Sequence, residues 1–128
     1  MLVLLDSDPD PACQLGPQLL AWARRQRADR RIAVVLAVRE FEAWFLAAAS
    51  SLAGKRKLPA DLADVEDPEA LPSPKAWLDG RMANGYSETP EQPALAHWLD
   101  IPRARRADSF DKLVREIAKL VERPCPPR

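Results

Sequence analysis

Two short apolar runs, thirty residues apart, most constrain what this chain can fold into: Leu2–Leu5 (LVLL) and Ile32–Val38 (IAVVLAV). The second is continuously apolar and rich in β-branched side chains, which is how a strand covered on both faces reads. The first ends at once in Asp6 and Asp8, with Asp10 two residues later, and reads as a buried strand running into a polar turn. Between the runs, Leu15, Leu19, Trp22 and Ala23 share one face at helical spacing, and Pro17 suits a first helical turn. Strand, helix and strand in so short a stretch make a βαβ unit, parallel and right-handed.

In a parallel sheet both strands end at one edge, and open α/β sheets place their ligands there. Just beyond the second strand lies Arg39–Gly54 (REFEAWFLAAASSLAG), whose Ala and Leu content, closed by Gly54, predicts a helix. Phe41, Trp44, Phe45, Ala48 and Leu52 form its apolar side. Topology therefore sends Asp6, Asp8, Glu40 and Glu42 to a common rim. Carboxylates at i and i+2 on a strand end can converge on one cation, and hard oxygen donors suit Mg²⁺ or Mn²⁺ better than zinc.

The rest of the chain reads as helical. Lys55–Pro74 carries four prolines and predicts a loop with at most a short helix. Ser73-Pro74 starts a short helix through Lys75, Trp77 and Leu78. Asn84-Gly85 marks a turn. Thr89-Pro90-Glu91-Gln92 has the form of a capping box, opening a helix that carries Leu95, Trp98 and Leu99. The last helix is capped by Asp108, follows an amphipathic stripe through Phe110, Leu113, Val114, Ile117, Leu120 and Val121, and stops at Pro124. The expected plan is one domain over residues 1–128: a βαβα core at 1–54, a helical part at 55–123, and a frayed tail at 124–128.

Composition narrows the function classes. Nineteen acidic and nineteen basic residues leave no net charge, divided six and six over Met1–Gly54 and thirteen and thirteen in the remainder. An overall basic footprint for nucleic acid is therefore absent, which leaves local patches such as Arg24–Arg31. Cys13 and Cys125 have no metal-ligand spacing. With no export signal or membrane span in view, reduced thiols and a cytoplasmic location are expected.

A strand ending in D-x-D, a crossover, and then V-R-E-F-E-A-W-F form a pattern that continues in Lys75-Ala76-Trp77-Leu78, Tyr86–Gln92 (YSETPEQ) and Ser109-Phe110. In these motifs, spread over nearly the whole chain, the sequence resembles a bacterial Toprim-like group, domain-of-unknown-function family 4276, related to the nuclease half of OLD-type proteins. The resemblance implies an α/β Toprim fold whose carboxylates hold Mg²⁺ for phosphodiester chemistry. Asp6 and Asp8 would match the D-x-D pair, and Glu42, with Glu40 as the other candidate, the acid after the next strand. Toprim domains also carry a catalytic Glu on an earlier strand, which this sequence begins too late to contain. The resemblance thus implies an N-terminally shortened domain that holds Mg²⁺ or Mn²⁺ weakly.

Each sharp reading has a plain one beside it. Asp6, Asp8 and Asp10 can hold a metal, or cap and solvate a strand-to-helix turn. Glu42 can be a ligand and catalytic acid, or an acid facing a helix dipole. Lys75 or Arg39 can neutralise charge developing on a phosphate. Trp44, Trp77 and Trp98 read as core rather than base-stacking platforms. Arg24–Arg31 reads as a solvated helix end, and His97 as structural. Two functions follow: a Mg²⁺-dependent phosphodiester hydrolase acting on nucleic acid, or a non-catalytic subunit working with a partner ATPase. Two strands alone make a small sheet with two open edges, so a second copy completing the sheet belongs with the second reading.

Overall fold

The computed structural model describes residues 1–122, so Cys125 and the expected stop and tail at Pro124–Arg128 lie outside the described residues. Ten elements follow in order: β1 (Leu2–Asp6), α1 (Ala12–Gln26), β2 (Ala33–Ala37), α2 (Ala43–Ala47), 3₁₀ turns at Ala49–Leu52 and Pro68–Ala70, α3 (Pro74–Asp79), α4 (Glu88–Trp98), α5 (Ile101–Ala104) and α6 (Asp108–Val121). The strands pair in parallel, from Leu2 opposite Ala33 to Asp6 opposite Ala37. The result is a mixed α/β domain with a helical C-terminal half.

Burial separates the two strands. β2 is buried along its whole length. On one face, Val34 and Leu36 pack with Ala23 of α1 and with Leu15, Leu19 and Leu20. On the other, Ala37 joins Trp44, Ala104, Ala107 and Phe110, with Leu113 and Val114 of α6 beside them. β1, expected to be buried, is not: Leu2, Leu4 and Leu5 are 37%, 39% and 47% exposed. α1 and α6 both lie over β2, and only β2 pairs with β1, whose outer edge is open among the described residues.

The helices depart from the sequence pattern where packing overrides it. α1 begins at Ala12, so Pro17 falls inside the helix rather than in its first turn and removes the bond to the Cys13 carbonyl. Trp22, expected on its apolar face, is 57% exposed. The single helix expected over Arg39–Gly54 is broken. Ala48, at φ −125° and ψ 34°, ends α2 after five residues, and a 3₁₀ turn follows. This stretch has no solvent side, since every residue from Glu42 to Ala49 is buried. Its Phe45, Leu46 and Leu52 form the centre of the helical half with Leu78, Met82 and Leu95. Where the amphipathic pattern predicted one long surface helix, complete burial on all sides selects short pieces.

Other expectations shift by a turn or less. Ser73 caps α3 as expected, its Oγ accepting from Ala76 N. α4 starts at Glu88 with Ser87 in the cap position, so Thr89 caps nothing, and Pro90 occupies a first-turn site whose N–H would be unpaired anyway. Asp108 is the first residue of α6, after Ala107. The stripe of α6 is covered only in its first half: Ile117 and Val121 are exposed. Of the tryptophans, Trp44 is core, its indole N–H donating to Ser109 Oγ at 2.7 Å. Trp77 is half-buried under the Arg81 guanidinium, and Trp98 is exposed, contrary to expectation.

Candidate active site

Both strands end at the same edge, and the loops after them are laced together. Ser7 N donates to Ala37 O, Asp8 N to Arg39 O, and Arg39 N to Ser7 Oγ, all at 2.8–2.9 Å. Asp8 and Arg39 both have positive φ, 49° and 62°. Glu40 N donates to Val38 O at 2.8 Å, which makes Arg39 the centre of a three-residue turn of rare, strained geometry. Residues other than glycine held in this region collect at functional sites. Here they reverse the chain within two residues, so that Phe41 N reaches Asp6 Oδ1 at 2.9 Å and Glu42 points into the interior.

Glu42 is the most unusual residue of the edge. It is 0% exposed. Its Oε1 accepts from the Tyr86 hydroxyl and from Gln92 Nε2, each at 2.8 Å, while Oε2 is buried without a partner among the described residues. Tyr86 is brought there by the Asn84-Gly85 turn. Gly85, at φ 75°, lets Tyr86 N bond Asp79 Oδ1 at 2.8 Å, and a Cβ at Gly85 would lie 2.8 Å from that same oxygen.

The remaining charges are arranged around this carboxylate. Glu40 Oε2 accepts from the backbone N of Lys75 at 2.8 Å, joining the rim to the start of α3. The Lys75 ammonium pairs with Glu88 at 2.5 Å. Its pKa is raised, first by that bond and further by attraction to Glu42, Glu88 and Glu40. The Asp6 carboxyl is pushed up by burial, with the Phe41 N–H pulling the other way and Glu42 adding repulsion. The Tyr86 phenol is driven far above its ordinary range by burial and then by its bond to Glu42.

The topology thus brings Asp6, Glu40, Glu42 and Lys75 together. Asp8 stands in solvent, lining a shallow hollow of about 250 Å³ with Pro9, Arg39, Glu40 and Pro72. Among the described residues no three His, Cys, Asp or Glu side chains lie close enough to share a metal ion. Asp6, Asp8 and Glu42 as positioned are therefore not a closed ligand cage. Sequence reasoning assigned no role to Tyr86 or Gln92, although both lie in the quoted YSETPEQ stretch. The available signal was that Tyr86 is the chain's one tyrosine, beside a turn. Of the basic cluster, Arg27 and Arg30 pair with Asp29, and Arg31 donates to the Lys119 and Glu122 carbonyls.

A parallel βαβ unit with carboxylates at its strand ends and a helical C-terminal half defines a mixed α/β domain. The sequence model of the family described as Domain of unknown function (DUF4276) matches residues 1–118, and the chain belongs to that family. No curated protein and no solved structure matches it. Among the described residues no helix is long and apolar enough to cross a membrane.

Proposed function

We propose that this edge is the active site of a Toprim-like phosphodiester hydrolase acting on nucleic acid. The observation that carries the reading is Glu42, a carboxylate of zero exposure with one oxygen held by Tyr86 and Gln92 and the other unpartnered. A buried polar oxygen left without a partner costs roughly 1–3 kcal/mol, which a divalent cation beside it would offset. Glu42 and Asp6 are the carboxylates placed to meet such an ion, and Asp8, which stands in solvent, would have to turn in from the rim to add a third oxygen; oxygen donors of this kind select Mg²⁺ or Mn²⁺. Bound there, the ion would polarise a phosphoryl oxygen and acidify a water.

The chain's own residues do the rest. Tyr86 and Gln92 fix the plane of the Glu42 carboxylate and so act as positioning residues. Glu40 holds the α3 N-terminus against the rim. Lys75, already within electrostatic reach of Glu42, balances the negative charge of a phosphate brought to the edge. Calorimetric titration with Mn²⁺ tests this. Weak, saturable binding should be lost in Glu42→Gln and reduced in Asp6→Asn and Asp8→Asn. Tight binding unaffected by Glu42→Gln and Asp6→Asn removes both side chains from the site.

One observation favours a second reading, a non-catalytic subunit acting through protein contacts. Among the described residues β1 has an unpaired edge, with Leu2, Leu4 and Leu5 exposed, the kind of surface that takes an added strand from a second copy or from a partner ATPase. A dimer in sedimentation analysis, dissociated by Leu4→Lys, would support it.

A further inference from the structure

The turn after Gly54 is built against local preference. Leu58 N donates to Lys55 O at 2.9 Å, closing four residues whose central pair, Arg56 and Lys57, has φ of 48° and 65°. This is the pattern of a type I′ turn, where Asn-Gly is the natural pair and long side chains are disfavoured. Packing does not require these residues, since both are exposed. They line a hollow of about 260 Å³ together with Asn84, Gly85 and Glu91. Glu91 of α4 pairs with Arg56 at 2.8 Å, and among the described residues Lys57 has no ion-pair partner.

Two neighbours give this turn a direction. The Lys55 ammonium lies 4.6 Å from the ring centroid of Trp98, which stands two turns along α4 from Glu91 and is 49% exposed. On the other side, Gly85 lines the hollow, and the next residue, Tyr86, holds Glu42. Three consecutive cations, with Arg56 paired to Glu91, and a half-exposed tryptophan with Lys55 over one face of its ring are thus joined through Gly85 and Tyr86 to the carboxylate edge. Cations that track a backbone, with a flat ring beside them, are how single-stranded nucleic acid is held without sequence preference.

We infer that Arg56 and Lys57 form a phosphate-binding turn that holds the backbone of a single-stranded nucleic acid beside the carboxylate edge, with Trp98 as a stacking surface. The inference rests on the phosphodiester reading of that edge, and the test separates the two. A fluorescent single-stranded oligodeoxynucleotide is titrated by anisotropy in EDTA, over a range of salt. Wild type should bind. Arg56→Asn/Lys57→Gly should raise Tm by about 5 °C, because turn-compatible residues replace strained ones. The same variant should bind roughly tenfold more weakly, with a log–log salt slope shallower by about 1.4. Lys57→Gln keeps the backbone as it is, should leave Tm unchanged, and should flatten the slope by about 0.7. Trp98→Ala should weaken binding with no change of slope. No binding by wild type, or affinity and slope unchanged in both turn variants, overturns the proposal. Turn-dependent binding without cleavage on adding Mn²⁺ upholds the turn and removes the hydrolase reading.

Discussion

β1 and β2 have five residues each, pair position for position, and end at the same edge, yet they live in different surroundings. Val34 and Leu36 of β2 lie under α1 and Ala37 faces the α6 side, whereas Leu2, Leu4 and Leu5 of β1 face solvent to between a third and a half of their surface. Apolar character alone did not decide this. What decides it is which strand has a layer on each side, and both layers are centred on β2. One strand is the interior of the domain and its neighbour is a margin, so identical side chains should contribute unequally.

The direct partners Leu36 and Leu5 give the sharpest way to break that contrast. Leu36→Ala should cost about 2–5 kcal/mol in urea unfolding, and Leu5→Ala less than about 1 kcal/mol. Equal losses would mean that β1 is covered in solution. At the edge both strands share, Tyr86→Phe leaves Glu42 Oε1 with Gln92 alone and should cost about 1–3 kcal/mol. Since Tyr86 is the chain's one tyrosine, phenolate absorbance reports it alone. That signal should be absent at about pH 10–11, where an exposed phenol ionises, and should appear only as the chain unfolds.

A smaller effect belongs to Asp6, at the end of the margin strand. Its folded pKa lies above the ordinary 3.8, so ionised Asp6 is a penalty at neutral pH. Lowering the pH through the folded value protonates the group and removes the penalty, which is gone below 3.8. Asp6→Asn keeps an oxygen for Phe41 N and should therefore be slightly more stable than wild type at pH 7, with the two converging in acid. A variant that is less stable at pH 7 would show that the Asp6 charge supports the fold. The smallest change is expected from Leu4→Thr, within about 0.5 kcal/mol, as for a surface position.

The parallel βαβ unit and the start of α3 were legible because each rests on local signals: apolar runs, a crossover of the right length, Ser73-Pro74 as a cap. The gathering of Asp6, Glu40, Glu42 and Lys75 was partly legible too, since parallel strands must end together. Tyr86 and Gln92 were not, because their role depends on how a loop more than forty residues downstream returns to Glu42. The break at Ala48 was also hidden. A helix pattern presumes a wet side, and this stretch has none. Nor could the exposure of β1 be read from LVLL, whose letters are those of a buried strand.

Arg31, just ahead of β2, donates to the carbonyls of Lys119 and Glu122, and Arg31 and Glu122 are 91 positions apart. The helix that closes one face of β2 is thus also the last of the described elements. On a ribosome, β1, α1 and β2 emerge long before α6, so one side of the central strand stays bare until α6 follows. The βαβ unit acquires its final packing, and the sheet edge its finished setting, only when α6 has left the exit tunnel.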